Sequence, residues 1–178
     1  MQPVSIMKDV TLDCSISRFV NNGIPSEAAI VLLNHLHYCL KKTNFKLILK
    51  TEKVFDGNDT QGFEEGNISC QIISSPWEHA KKVEDGGICL AFIFFSDIMS
   101  TKGWIPVPRR GEGYDYICFD SKKEKIVIEV GGRTGKHGAR TDLHYKITRF
   151  QSRKKLTEST YISSVGFEEG EHIVHKYN

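Results

Sequence analysis

The sequence predicts a mixed α/β fold, a sheet with helices packed against it. Three stretches carry that expectation. Residues 26–41 place Ile30, Leu33, Leu36 and Leu40 at helical spacing, and residues 141–156 do the same with Leu143, Ile147 and Phe150. Between them, residues 114–119 and 125–130 read as two strands joined by the short charged turn 120–124. With 178 residues, 39% of them hydrophobic and 26% charged, the chain is expected to form a single domain over residues 1–178 with a packed core.

Taken in order, the first helix follows Gly23 and Pro25, with Ser26 as a candidate N-cap and Lys41 and Lys42 suited to the negative end of the helix dipole. Residues 45–50 and 68–73 read as strands, separated by a polar, turn-rich loop over 56–62. The apolar run 88–95 fits a buried strand or a core helix. Periodicity does not separate the two, and the strand is preferred. The hairpin of 114–119 and 125–130 is expected at the centre of the sheet, followed by a basic amphipathic helix over 141–156 and a last strand over 161–165. Beyond that, the C-terminal tail carries no pattern.

No apolar run approaches the roughly 20 residues of a membrane-crossing helix, and Lys8 and Asp9 interrupt any secretory leader, so a cytoplasmic protein is expected. The five cysteines are scattered and form no CxxC pair, which argues for reduced thiols over disulfides or a zinc site. Gly131, Gly132, Gly135 and Gly138 follow neither the Walker nor the Rossmann pattern and read as loop flexibility. Trp104 fits aromatic packing against a loop. His137 and His144 lie near the basic segment but read as ordinary surface histidines.

Charge is nearly balanced overall, 24 basic against 22 acidic residues, but segregated along the chain. Residues 100–155 hold 14 Lys and Arg against 6 Asp and Glu. A basic region around a few carboxylates suits a protein that holds phosphates while keeping acidic groups for metal ions. Arg109, Arg110, Lys146, Arg149 and Arg153 are the candidate nucleic-acid contacts. The hairpin sets Asp115 at the start of one strand and Glu129 at the end of the next, two oxygen donors suited to Mg2+ or Mn2+. Such an ion activates water and neutralises phosphodiester charge. Arg133 and Lys136, in the loop that follows, are the nearest candidate catalytic cations.

Gly-Tyr-Asp115 and Ile-Glu129-Val-Gly131 resemble the PD-(D/E)xK nucleases, in which an Asp, an acidic residue on the next strand and a Lys two positions later form a metal-dependent site. The stretch from Ile128 to Arg133, followed by a basic helix, is similar to the nuclease-like domain at the C-terminus of some bacterial AAA-type ATPases. The likeness spans residues 112–165 and implies a restriction-endonuclease-like αβββαβ core with flanking helices. It also implies DNA phosphodiester hydrolysis, with Asp115, Glu129 and an additional helix carboxylate, Glu27, on the metal. The chain departs from the pattern at Gly131, where the family has its lysine. Arg133, four positions after the Glu, matches the cation of the ATPase-linked domains, but arginine holds its proton and cannot act as a general base. Lys136 is the candidate migrated lysine. No Walker motif accompanies the stretch, so any ATPase is another chain. The alternative is a catalytically inactive nuclease-fold module that uses the basic helix to bind nucleic acid or a protein partner.

Overall fold

The computed structural model describes residues 16–40, 45–51, 59–63, 78–97, 99–107, 113–152 and 158–177. Four helices and seven strands run in the order α1 (Ile16–Asn21), α2 (Ser26–Leu40), β1 (Phe45–Thr51), β2 (Asp59–Phe63), α3 (His79–Asp97), β3 (Lys102–Pro106), β4 (Tyr116–Phe119), β5 (Lys125–Arg133), α4 (Gly138–Gln151), β6 (Ser159–Gly166) and β7 (Glu171–Lys176). The strands form one mixed sheet in the order β2-β1-β7-β6-β5-β4-β3. β3, β4 and β5 are an antiparallel meander, and β6 joins β5 in parallel through the crossover helix α4. Among the described residues no helix is long and apolar enough to cross a membrane.

The largest departure from expectation is the run 88–95, which is helical. It forms the C-terminal part of the 19-residue α3, and every residue from Asp85 to Phe95 is buried. A helix enclosed on all sides has no polar stripe, so its 3.6-residue period disappears from the sequence. α3 lies between α2 and the sheet, where it packs chiefly on β5. Glycines allow this approach. A β-carbon at Gly87 would come 3.0 Å from the Gly131 carbonyl oxygen, and one at Gly132 would overlap the Val83 carbonyl oxygen. Gly131 and Gly132 therefore permit close packing within β5 and are not loop residues. Phe19 stacks on Phe92 at 4.2 Å, and Trp104 packs edge-on to Phe92 and Phe95, so the indole belongs to the aromatic core, where packing against a loop was expected.

The hairpin forms where predicted, with Asp120 Oδ1 accepting the Lys122 and Glu124 N–H groups, both at 2.8 Å, across its turn. It lies toward one edge of the sheet, and β6 is the central strand. β2 occupies part of the stretch read as a polar loop, and the tail supplies β7, inserted between β1 and β6. α2 begins at Ser26, with the Ala29 N–H donating to the Pro25 carbonyl, so Ser26 is a first-turn residue rather than the cap. α4 starts three residues before its expected onset. The strand expected over 68–73, together with Cys14 and Cys70, lies outside the described residues. Cys39, Cys89 and Cys118 are in no disulfide, and burial pushes Cys39 and Cys118 up to about 12, which leaves them protonated and unreactive at neutral pH.

Candidate active site

The two faces of β5 serve different purposes. Ile126, Ile128 and Val130 join the core under α3, while Glu129 and Gly131 turn toward α4. Glu129 is 4% exposed and meets two cations from α4. Lys146 Nζ donates to Glu129 Oε1 at 3.1 Å and to the Val130 carbonyl at 2.7 Å, and Arg149 Nη2 pairs with the same Oε1. Asp142, one turn earlier on α4, lies 3.9 Å from Lys146 Nζ. It accepts from Arg133 Nε at 3.0 Å and from the Ser164 hydroxyl at 2.8 Å. The result is an alternating chain of charges, Arg133, Asp142, Lys146, Glu129 and Arg149, with its two carboxylates and its lysine buried.

Asp115 is held beside this chain by the strand geometry. β4 begins only at Tyr116, so the Val130 N–H donates at 2.8 Å to Asp115 Oδ2 instead of to a backbone carbonyl. The Asp115 N–H donates to the Ile128 carbonyl at 2.8 Å. Desolvation raises the pKa of Glu129 above the usual carboxylate value, and the neighbouring Asp115 charge adds to this while Lys146 and Arg149 oppose it. Two carboxylates set side by side, one of them poorly hydrated, favour a cation between them. Among the described residues, however, no three His, Cys, Asp or Glu side chains gather closely enough to form a metal-holding group of their own.

A cavity of about 450 Å³ opens over the end of β5, between the N-terminal part of α3 and α4. Its walls include His79, Glu84, Gly131, Arg133, Asp142 and Lys146. Burial pushes the Tyr116 hydroxyl up to about 12, reinforced by the charges of Asp115, Asp85 and Glu84.

The structure redistributes the residues expected from sequence. It brings Asp115 and Glu129 together. Arg133 pairs with Asp142 and makes no hydrogen bond to Glu129, and Lys136 is exposed in the loop before α4. Lys146 is 6% exposed and points at the sheet, so it is no surface phosphate contact. Arg149 likewise turns its guanidinium to Glu129. Glu27 is not a neighbour of the Glu129 side chain. It lies on α2, across α3 from the sheet, and lines an apolar cavity of about 420 Å³ with Val31, Trp104 and Tyr116. Arg109, Arg110 and Arg153 fall outside the described residues. His137 is exposed and pairs with Glu169, and His144 is exposed.

The sequence reading missed Glu84 and gave Lys146 another role, that of a nucleic-acid contact. Glu84 was hidden because the helix it belongs to was read as a strand. Lys146 carried a readable signal, since it falls three residues after Leu143 and four before Phe150, on the apolar stripe of α4. No protein-family model matches the chain, and none of the curated proteins or solved structures compared with it does so either.

Proposed function

We propose that the chain is a metal-dependent DNA phosphodiester hydrolase of the restriction-endonuclease-like kind, with Asp115 and Glu129 as the metal carboxylates and Lys146 as the catalytic cation. The observation that carries this reading is where Lys146 ends. A β-carbon at Gly131 would overlap Asp142 Oδ2 and sit 2.8 Å from Lys146 Cε, so the lysine stem fills the space above Gly131. The ammonium group that the resembling family supplies from that strand position is here delivered from α4 to the same carboxylate. The element order α3-β3-β4-β5-α4-β6 supports the reading, being the αβββαβ order that the resemblance implies. In that order α3 is the leading helix, so Glu84, not Glu27, is the additional carboxylate facing the cavity.

The donor set fits a hard cation. Asp115 Oδ1 and Glu129 Oε2 accept no hydrogen bond among the described residues, while their partner oxygens are anchored. Two carboxylates without a closed protein cage suit Mg2+ or Mn2+, which keeps waters and takes substrate phosphate oxygens as further ligands. Bound there, the ion would supply an activated water and charge neutralisation. The protein's part is to anchor Asp115 through Val130, to hold Lys146 where it can orient a nucleophile or stabilise phosphoryl charge, and to exclude bulk water from Glu129.

A specific observation favours a second reading, an inactive binding module. Glu129 already has two cationic partners, so it is neutralised without a metal. Calorimetric titration of Mn2+ into wild type and Asp115→Ala/Glu129→Ala, with cleavage of plasmid and single-stranded DNA followed in parallel, separates the two. Carboxylate-dependent metal binding with cleavage is expected, and its absence from folded wild type leaves the binding module.

A further inference from the structure

α4 presents an aromatic ring to solvent beside the buried carboxylate. Tyr145 is 57% exposed, the most exposed of the large hydrophobic side chains among the described residues, and it is adjacent in sequence to Lys146. The Arg149 guanidinium lies 5.8 Å from the Tyr145 ring centre and also pairs with Glu129 Oε1, so one side chain spans from the ring to the site. Arg149 Nε is buried and has no hydrogen-bond partner.

The reactive groups are recessed. The Lys146 and Glu129 side chains are 8% and 5% exposed, and Lys146 lies at the wall of a cavity of about 450 Å³. A strand locked in a duplex has its phosphates held at a set distance from a partner strand, whereas an unpaired strand can bend a phosphate inward and turn a base out. Exposed aromatic rings are the usual platform for such a base, and stacking tolerates any sequence.

We infer that the substrate is single-stranded, with a base stacked on Tyr145 above the Arg149 side chain, so that the site acts on unpaired strands or ends in preference to intact duplex. The inference rests on the nucleic-acid reading above and narrows it.

Fluorescence anisotropy with a labelled thymidine oligonucleotide, the same sequence as a duplex, and an abasic strand of equal length tests it, in Ca2+ to suppress cleavage. Wild type should bind the thymidine strand about ten-fold more tightly than either the duplex or the abasic strand, the stacking contribution of one base. Tyr145→Phe should keep that preference, and Tyr145→Ala should abolish it while leaving duplex affinity unchanged. Equal affinity of wild type for strand and duplex, or a preference that survives in Tyr145→Ala, overturns the inference alone. Binding of neither form overturns it together with the proposed function.

Discussion

Replacing Lys146 by Met keeps most of the stem volume and removes only the charge and its two hydrogen bonds. Glu129 is then left 4% exposed with Arg149 alone, and the Val130 carbonyl loses its 2.7 Å donor. Removing one partner of a buried pair costs roughly 3–5 kcal/mol, and the surviving Arg149 contact places this case near the lower end, at about 3 kcal/mol. For a chain of 178 residues that corresponds to a melting temperature lower by about 6–12 °C. Urea unfolding followed by tryptophan fluorescence reads it, because Trp104 sits in the aromatic core. The loss should depend on pH. Burial raises the pKa of Glu129 in the fold, so the folded state holds the extra proton, and the stability tied to it falls as pH rises from the unfolded value through the folded one. Without Lys146 that pKa rises further. The penalty is therefore larger at higher pH, where Glu129 carries its charge, and shrinks as pH falls and the carboxyl takes up a proton. Lys146→Met/Glu129→Gln should recover most of it. A loss below about 1 kcal/mol at pH 8, or one independent of pH, would refute the claim that this pair is buried and coupled.

Gly132→Ala should be far costlier than substitution of a surface glycine, about 3 kcal/mol or more, because the added methyl overlaps the Val83 backbone and only movement of α3 relieves it; chemical denaturation checks this. The His172 ring, wholly buried against Phe94 and bonded to Ser163 at 2.8 Å, is held down to about 3 by desolvation. Its NMR signals should not titrate between about pH 8 and pH 5. Since the unfolded chain takes up that proton and the fold does not, the contribution of His172 to stability is present above the unfolded pKa of about 6.5 and is lost progressively as pH falls below it. Urea midpoints of wild type and His172→Gln across the same range check the sign, and a ring titrating near 6.5 would show that the site is open to water.

Most of the site-bearing half was legible because its signals are local. The hairpin announces itself by alternating strands and a charged turn, and α4 by Leu143, Ile147 and Phe150. From those alone Asp115 and Glu129 could be set near each other on the hairpin, although Asp115 falls just before β4. What was not legible depends on tertiary enclosure. α3 is buried by α2 on one side and the sheet on the other, so no residue pattern distinguished it from a buried strand, and Glu84 went unrecognised with it. β7 is short, and its pairing with β1 is set by residues about 125 positions apart, which no local period reports. Gly131 looked like a missing lysine. Only with α4 in place does the Lys146 stem lie over Gly131, a packing relation that a linear motif does not contain.

In the proposed function Lys146 stands in for the strand lysine as the catalytic cation of the Asp115 and Glu129 site. Single-turnover cleavage of a single-stranded oligonucleotide in Mn2+, by wild type, Lys146→Met and Gly131→Ala, with calorimetric metal binding measured on each, tests it most directly. Folded Lys146→Met should keep or tighten metal binding, since a competing positive charge is gone, while cleavage falls by about 100-fold or more, the range a positioned acid–base group supplies. Gly131→Ala, which crowds Asp142 and the Lys146 stem, should be impaired as well. Cleavage by Lys146→Met at the wild-type rate would contradict the claim.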